Sequence, residues 1–393
     1  MNNFRRIVFS LHKWLGLNIA LFFFFMFLTG SLLTLSDEAE KLIHPDIRSD
    51  ARTKDGGATF GEIFDAITEH SPAATPFVLV LQPIENAGDR TNVNSPDGKR
   101  LLYWTDPYTA EVLAVTSARN FKDIVHELHD SLLVPSRVAF LAVSATSLIL
   151  LYSVVSGLIT YRRFWRGWLR FPAKGLTPRA KWAAWHRLLG IWSSPFLLII
   201  GITGFYFFLG GLGLTGTPPQ PPLGEPRFEI RGENFNGALI DNAYQAVTSG
   251  YDWLDVNTAI LPANERQGIR FAGKHKDGGL TIFTASVDPE TLEVLGLVST
   301  QDRGPLTDVK MLMNALHYGT WAGTGVRYLW VALGLASAAL ILAGGAVYAA
   351  RTSSIAGKEG ELMQFWRGLG VFRWAYLAVL AGIVSMVVLR FII

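Results

Sequence analysis

Along the chain, long uncharged apolar runs alternate with long polar stretches. Runs near 14–35, 138–161, 188–212, 328–350 and 374–393 are each about the 20 residues that an α-helix needs to cross a hydrocarbon core of about 30 Å. The last is the weakest, because Arg373 and Arg390 leave a short apolar centre. Between the runs, TFGEIFDAITEH around 59–70 and GALIDNAYQAVTSG around 237–250 have the apolar spacing of amphipathic helices. FVLVLQ reads as a strand. KRLLYWTDPYTAEVLAV and GLTIFTASVDPETLEVLGL each contain Asp-Pro-x-Thr-x-Glu-Val-Leu, at 106–113 and 288–295. The Asp-Pro opens a turn and Glu-Val-Leu a strand, which predicts a β-hairpin in each polar stretch.

The pattern predicts a membrane protein: an α-helical bundle of about five transmembrane helices with two exported α+β domains, internally duplicated. The expected segments are 1–36 (first span, cytoplasmic N-terminus), 37–136 (first exported domain), 137–161 (second span), 162–187 (basic loop) and 188–212 (third span). They continue as 213–326 (second exported domain), 327–350 (fourth span), 351–373 (loop) and 374–393 (fifth span). The first run is too long for the apolar centre of a signal peptide and lacks a small-x-small cleavage site, so it reads as an anchor.

Composition agrees, with half of the 393 residues hydrophobic and 17% charged. From Arg162 to Arg187 there are eight Lys or Arg and no acid, whereas the two long polar stretches are net acidic. The positive-inside rule then puts the basic loop in the cytoplasm and the polar stretches outside, in the periplasm of a bacterium. The chain has no cysteine, which excludes disulfides, iron–sulfur clusters and thiolate-ligated haem or zinc. No Lys/Arg stripe with interleaved aromatics suggests nucleic acid.

Four histidines fall in repeated frames. HKWLGLNIALFFFFMFLTG from His12 and HRLLGIWSSPFLLIIGITG from His186 share His, a basic residue, Leu-Gly at the fourth and fifth positions, and a closing Thr-Gly. His129 in LHDSLLVPSRV and His317 in LHYGTWAGTGVRYLW each sit in a Leu-His pair before a span. In the expected topology His12 and His186 lie at the cytoplasmic face, His129 and His317 at the periplasmic face. Ionisable groups beside a span are functional candidates, and two neutral imidazoles from two helices suit the axial positions of a haem iron. Gly16 and Gly190, four residues beyond their histidines, are candidates for letting a flat ring approach, as are Gly30, Gly204, Gly157 and Gly345. Interfacial hydrogen bonding is the competing use of a single histidine, and helix packing that of a helical glycine. His126 is an alternative ligand or proton donor, but HELH lacks the spacing of a zinc helix. His44, His70 and His275 fall in polar stretches and read as solvated.

Together the histidine frames, the Leu-His pairs and the Asp-Pro-x-Thr-x-Glu-Val-Leu hairpins resemble the PepSY-associated transmembrane proteins of bacteria, from about residue 6 to 350. That family includes inner-membrane ferric-siderophore reductases of the ferrioxamine type and iron-regulated membrane proteins. The resemblance implies two periplasmic PepSY-like domains and two haem b groups, held by His12 with His186 and by His129 with His317. It further implies an oxidoreductase that reduces a periplasmic ferric siderophore and releases Fe(II), in contact with membrane lipid. No Gly-rich dinucleotide motif follows a strand in the cytoplasmic loops, so the electron donor is a separate quinol or a cytoplasmic flavin reductase. Tyr318 and Trp321 are candidates for the acceptor side. Two alternatives stand beside this: a haem-free, membrane-tethered PepSY interaction or inhibitory protein, and a quinol-linked cytochrome b serving another periplasmic acceptor. Ala110 departs from the glycine usual in the family's hairpin.

Overall fold

A computed structural model describes residues 3–53, 56–161, 163–215, 221–225, 235–300 and 305–356, with scattered positions between 363 and 385. The chain divides into a helical unit (Met1–Leu35, Ile124–Thr215, Met313–Ile393) and a sheet unit (Ser36–Asp123, Gly216–Leu312).

The helical unit contains α1 (Asn3–Asn18), α2 (Ala20–Thr34), most of α5 (Phe121–Ser131), α6 (Arg137–Thr160), α7 (Pro178–Gly211), the end of α9 (Pro305–Tyr318) and α10 (Gly323–Ala356). With 24 residues, α6 is about 36 Å long at 1.5 Å per residue, enough to cross a bilayer core. Ser136 caps it by accepting from the Ala139 amide, and Thr177 caps α7 by accepting from that of Ala180. Among the described residues, α6, α7 and Gly323–Ala350 of α10 are long and apolar enough to span. The first expected span is different: α1 and α2 meet at a 64° bend. Asn18 at the break donates its side-chain amide to the Trp14 carbonyl, inserting a polar group into the helical ladder. The fifth expected span lies mostly outside the described residues. Phe23, Phe27, Leu150, Val154, Phe196, Leu197 and Trp330 fill the core of the unit.

The sheet unit corrects the expectation of two separate domains. Strands β1 (Thr75–Val80), β2 (Asp89–Asn94), β3 (Arg100–Thr105) and β4 (Val112–Ser117) form one antiparallel meander. A second consists of β5 (Leu254–Ile260), β6 (Ile269–His275), β7 (Phe283–Val287) and β8 (Val294–Ser299). The two join through β1 and β5, giving one sheet of order β4-β3-β2-β1-β5-β6-β7-β8. An isolated four-stranded sheet would leave the N–H and C=O groups of β1 unpaired, and β5 satisfies them. The unit boundaries differ from the expected ones: residues 124–136, 213–215 and 313–326 belong to the helical unit, and 36 to the sheet unit.

Both hairpins form as the sequence predicts. Asp106 and Asp288 each accept two backbone amides of their turn at Oδ1. The fifth residue of each motif, Ala110 or Leu292, lies at φ 59°, the left-handed region where glycine carries no Cβ penalty. Helices α4 (Phe60–His70) and α8 (Gly237–Gly250) cover one face of the sheet, burying Ile63, Ile67, Ile240 and Val247 against Leu79, Val93, Ala259 and Phe271. The helices cap one another: the Gly61 amide donates to Asp241, and the Gly237 amide to Asp65. Each carboxylate satisfies an orphan donor at the positive end of the other helix. Asp65→Ala and Asp241→Ala are therefore each expected to cost about 1 kcal/mol, measured by denaturant unfolding.

Glu40 on α3 (Ser36–Ile43) is 2% exposed, and among the described residues neither of its carboxylate oxygens has a hydrogen-bond partner. His44 Nε2 approaches only to 3.9 Å. Burial raises the Glu40 pKa, Asp123 adds to the effect, and His44, Lys122 and Arg90 offset part of it. A raised acid favours folding when protonated, so this contribution is present at pH values below the ordinary carboxylate pKa and is lost as pH rises through the folded-state value. Thermal unfolding across that window should show wild type gaining stability on acidification. Glu40→Gln should be the more stable protein at pH 7, with a flatter profile.

Candidate metal-binding site

Four histidines of the helical unit share one local chemistry. His129 Nδ1 and Thr29 Oγ1 share a hydrogen bond of 2.9 Å. Thr29 Oγ1 also lies 2.8 Å from the Phe25 carbonyl, to which it can donate while accepting from the ring. The arrangement recurs in the second half, where His317 Nδ1 lies 2.8 Å from Thr203 Oγ1 and Thr203 donates to the Ile199 carbonyl. His12 Nδ1 and Ser156 Oγ share a hydrogen bond of 2.9 Å, and Ser156 Oγ can donate to Ser153 O at 3.1 Å. His186 Nδ1 lies 3.0 Å from the Leu340 carbonyl, which can only accept. In all four rings Nδ1 is the hydrogen-bonded nitrogen, and the tautomer protonated there leaves Nε2 its lone pair, as an imidazole that ligates a metal through Nε2 requires.

His129 and His317 have ring centres 6.4 Å apart, with planes inclined at 65°. Two imidazoles on opposite sides of one metal ion have centres separated by about 6 Å, given metal–nitrogen bonds of about 2.0–2.1 Å. His12 and His186 lie within electrostatic reach of each other. His129 and His317, on α5 and α9, lie outside the spanning helices. Burial pushes their pKa values down to about 4 and about 3, with His126 adding to the first and His129 to the second. Both are neutral at pH 7, as ligation requires. All four rings are set among helices yet keep some accessible surface.

Backbone comes close to three of the rings. A Cβ at Gly30 would lie 3.2 Å from His129 Cε1, one at Gly157 would lie 3.5 Å from His12 Cε1, and one at Gly344 would lie 3.1 Å from His186 Cε1. These glycines leave room beside the imidazoles that any side chain would narrow. A Cβ at Gly16 would meet open space, and one at Gly190 would lie 3.5 Å from Leu340 Cδ1. Gly204 packs on Ser147.

His126 does not join the pair. It is exposed, with Nδ1 3.7 Å from Asp130 Oδ2. Tyr318 and Trp321 are 47% and 46% exposed; Tyr318 lies beside His317 and the Phe207 ring, and Trp321 against Trp330. Phe207, 4.9 Å from the His317 ring centre, was not expected from the sequence; nor were the hydrogen-bonding roles of Thr29, Thr203, Ser156 and Leu340. The closing Thr-Gly of each frame was the available signal for two of them. His70 is exposed, His44 lies near Glu40, and His275 stacks on Trp253.

A family model described as the PepSY-associated TM region matches residues 9–351. An uncharacterized protein of Pseudomonas aeruginosa is 37% identical over 108 residues, 27% of this chain. The match spans a quarter of that relative's length.

Proposed function

Because the chain belongs to the PepSY-associated transmembrane family, we propose that it is an inner-membrane oxidoreductase with two haem b groups that reduces a ferric siderophore in the periplasm. One observation carries the reading: four imidazoles, two from each repeat, each have Nδ1 held by a hydrogen bond, and the rings of His129 and His317 stand 6.4 Å apart. Such a donor set fits haem iron, which takes two neutral nitrogen ligands.

In this reading His12 and His186 hold the cytoplasmic-side haem, and His129 and His317 the periplasmic-side haem. Bound haem supplies a one-electron carrier near each face, so that charge crosses a low-dielectric layer in short steps. Thr29, Thr203, Ser156 and the Leu340 carbonyl orient the rings and make Nε2 more basic. Phe207 keeps water from one side of His317. Tyr318 and Trp321 offer exposed aromatic surface where a chelate can rest. The donor is a quinol or a cytoplasmic flavin reductase, and each ferric ion takes up one electron. Ferrous iron is the softer, less charged product, which hard oxygen donors hold less tightly.

Detergent-purified protein should be red, with a six-coordinate b-type absorption spectrum and about two haems per chain. Dithionite-reduced protein should be reoxidised by a ferric hydroxamate, with Fe(II) trapped by a ferrous chelator. A colourless protein would overturn the haem assignment and leave the tethered interaction module. A red one indifferent to ferric chelates would point to another acceptor.

A further inference from the structure

Helix α1 bends by 64° from α2 and carries a stripe of exposed apolar residues. Phe4, Ile7, Leu11 and Trp14, spaced as neighbours on one helical face, are 62%, 67%, 40% and 55% exposed. Arg6 and Lys13 are exposed on the same helix. This is the pattern of a helix lying in a membrane interface.

The loop between α6 and α7 has the same character. Trp165, Trp168, Leu169 and Phe171 are exposed and alternate with exposed Arg163, Arg166 and Arg170. The loop is folded back on α7: the Trp168 carbonyl accepts from Trp192 Nε1 at 2.9 Å, and the Phe171 ring lies 5.8 Å from that of Trp192. Trp192 is more than a turn inside the uncharged run of α7, which begins after Arg187. The loop's aromatic side chains therefore sit at the depth where tryptophan collects, with its arginines among the headgroups.

Helix α1 and this loop meet at a groove. Arg5, Phe164 and Trp165 line it together with Val155, Leu158 and Ile159 of α6 and Leu198 of α7. One cation, two aromatic rings and aliphatic side chains from two spanning helices suit an amphiphile with an anionic head. We propose that this groove binds one anionic phospholipid, its headgroup at Arg5 and an acyl chain along Val155, Ile159 and Leu198. The exposed arginines of the loop supply the charge complementarity that favours an anionic lipid over a zwitterionic one. A neutral quinol fits the groove but gains little from that charge.

Native mass spectrometry of delipidated full-length protein, after addition of dioleoylphosphatidylglycerol or dioleoylphosphatidylcholine, tests this. Wild type should retain one phosphatidylglycerol per chain and phosphatidylcholine only at background. Arg5→Gln should lower phosphatidylglycerol retention about fivefold, the weight of one cation beside an anionic headgroup, and Arg5→Lys should restore most of it. Ile159→Trp should fill the groove and lower retention with an unchanged unfolding midpoint in detergent. Equal retention of the two lipids, phosphatidylglycerol retention in Arg5→Gln matching wild type, or displacement of the lipid by added ubiquinol with equal efficiency in wild type and Arg5→Gln would overturn the proposal.

Discussion

Full-length protein with His317→Ala is expected to carry one haem fewer per chain, counted as the pyridine haemochrome, while keeping the spectrum of the couple formed by His12 and His186. Truncation removes a ring whose centre stands 6.4 Å from that of His129, and no other described histidine ring packs against His129 to replace it. His126 is exposed and points its Nδ1 at Asp130, so it is not poised to substitute. The same loss is expected for His129→Ala. Thr203→Val provides a finer probe, because it keeps shape but removes the oxygen hydrogen-bonded to His317 Nδ1 at 2.8 Å. Loss of such an outer partner typically weakens metal affinity about 10–100-fold. Thr203→Val should therefore purify with both haems and shed one on dilution, before wild type does. Both haems retained in His129→Ala and His317→Ala would remove these residues from the ligand set.

Gly61→Val is expected to have the largest effect on the sheet unit. A Cβ at Gly61 would land on the Gly237 carbonyl, and one at Gly237 on the Gly61 carbonyl. Backbone cannot rotate aside as a side chain can, so α4 and α8 must move apart. Overpacking of this kind costs about 1–3 kcal/mol. Separation also stretches the bonds from the Gly61 amide to Asp241 and from the Gly237 amide to Asp65. A fall in the denaturant midpoint larger than that of Asp241→Ala is the expected outcome. Equal midpoints for Gly61→Val and wild type would mean that the helices do not depend on this close approach.

Local pattern was the most legible part of the fold. The reach of α8 coincides with GALIDNAYQAVTSG, and both Asp-Pro hairpins were readable because their turn chemistry is contained in a few consecutive residues. The union of the two polar stretches in one sheet was not readable. The pairing of Val78 with Ile260 joins residues far apart in sequence, and strand alternation says nothing about which edge meets which. The bend at Ile19 had a visible cause in Asn18, a polar residue inside an apolar run, but hydropathy averages over such a position. At the candidate site, repetition exposed the histidines while their partners stayed hidden. Thr29 and Thr203 stood in the repeated frames, yet a threonine in a span is commonly explained by a bond to its own helix, which both also make.

The seam between β1 and β5 also bears on how the chain is made and where it came from. The first meander leaves the ribosome with one border open, and two membrane helices must be inserted before its complement is synthesised. Late closure of this kind is slow and leaves a sticky border exposed meanwhile. A half-length chain would carry the same open border permanently and could satisfy it only by meeting a second copy of itself. In the present molecule the second meander, on the same polypeptide, supplies that closure.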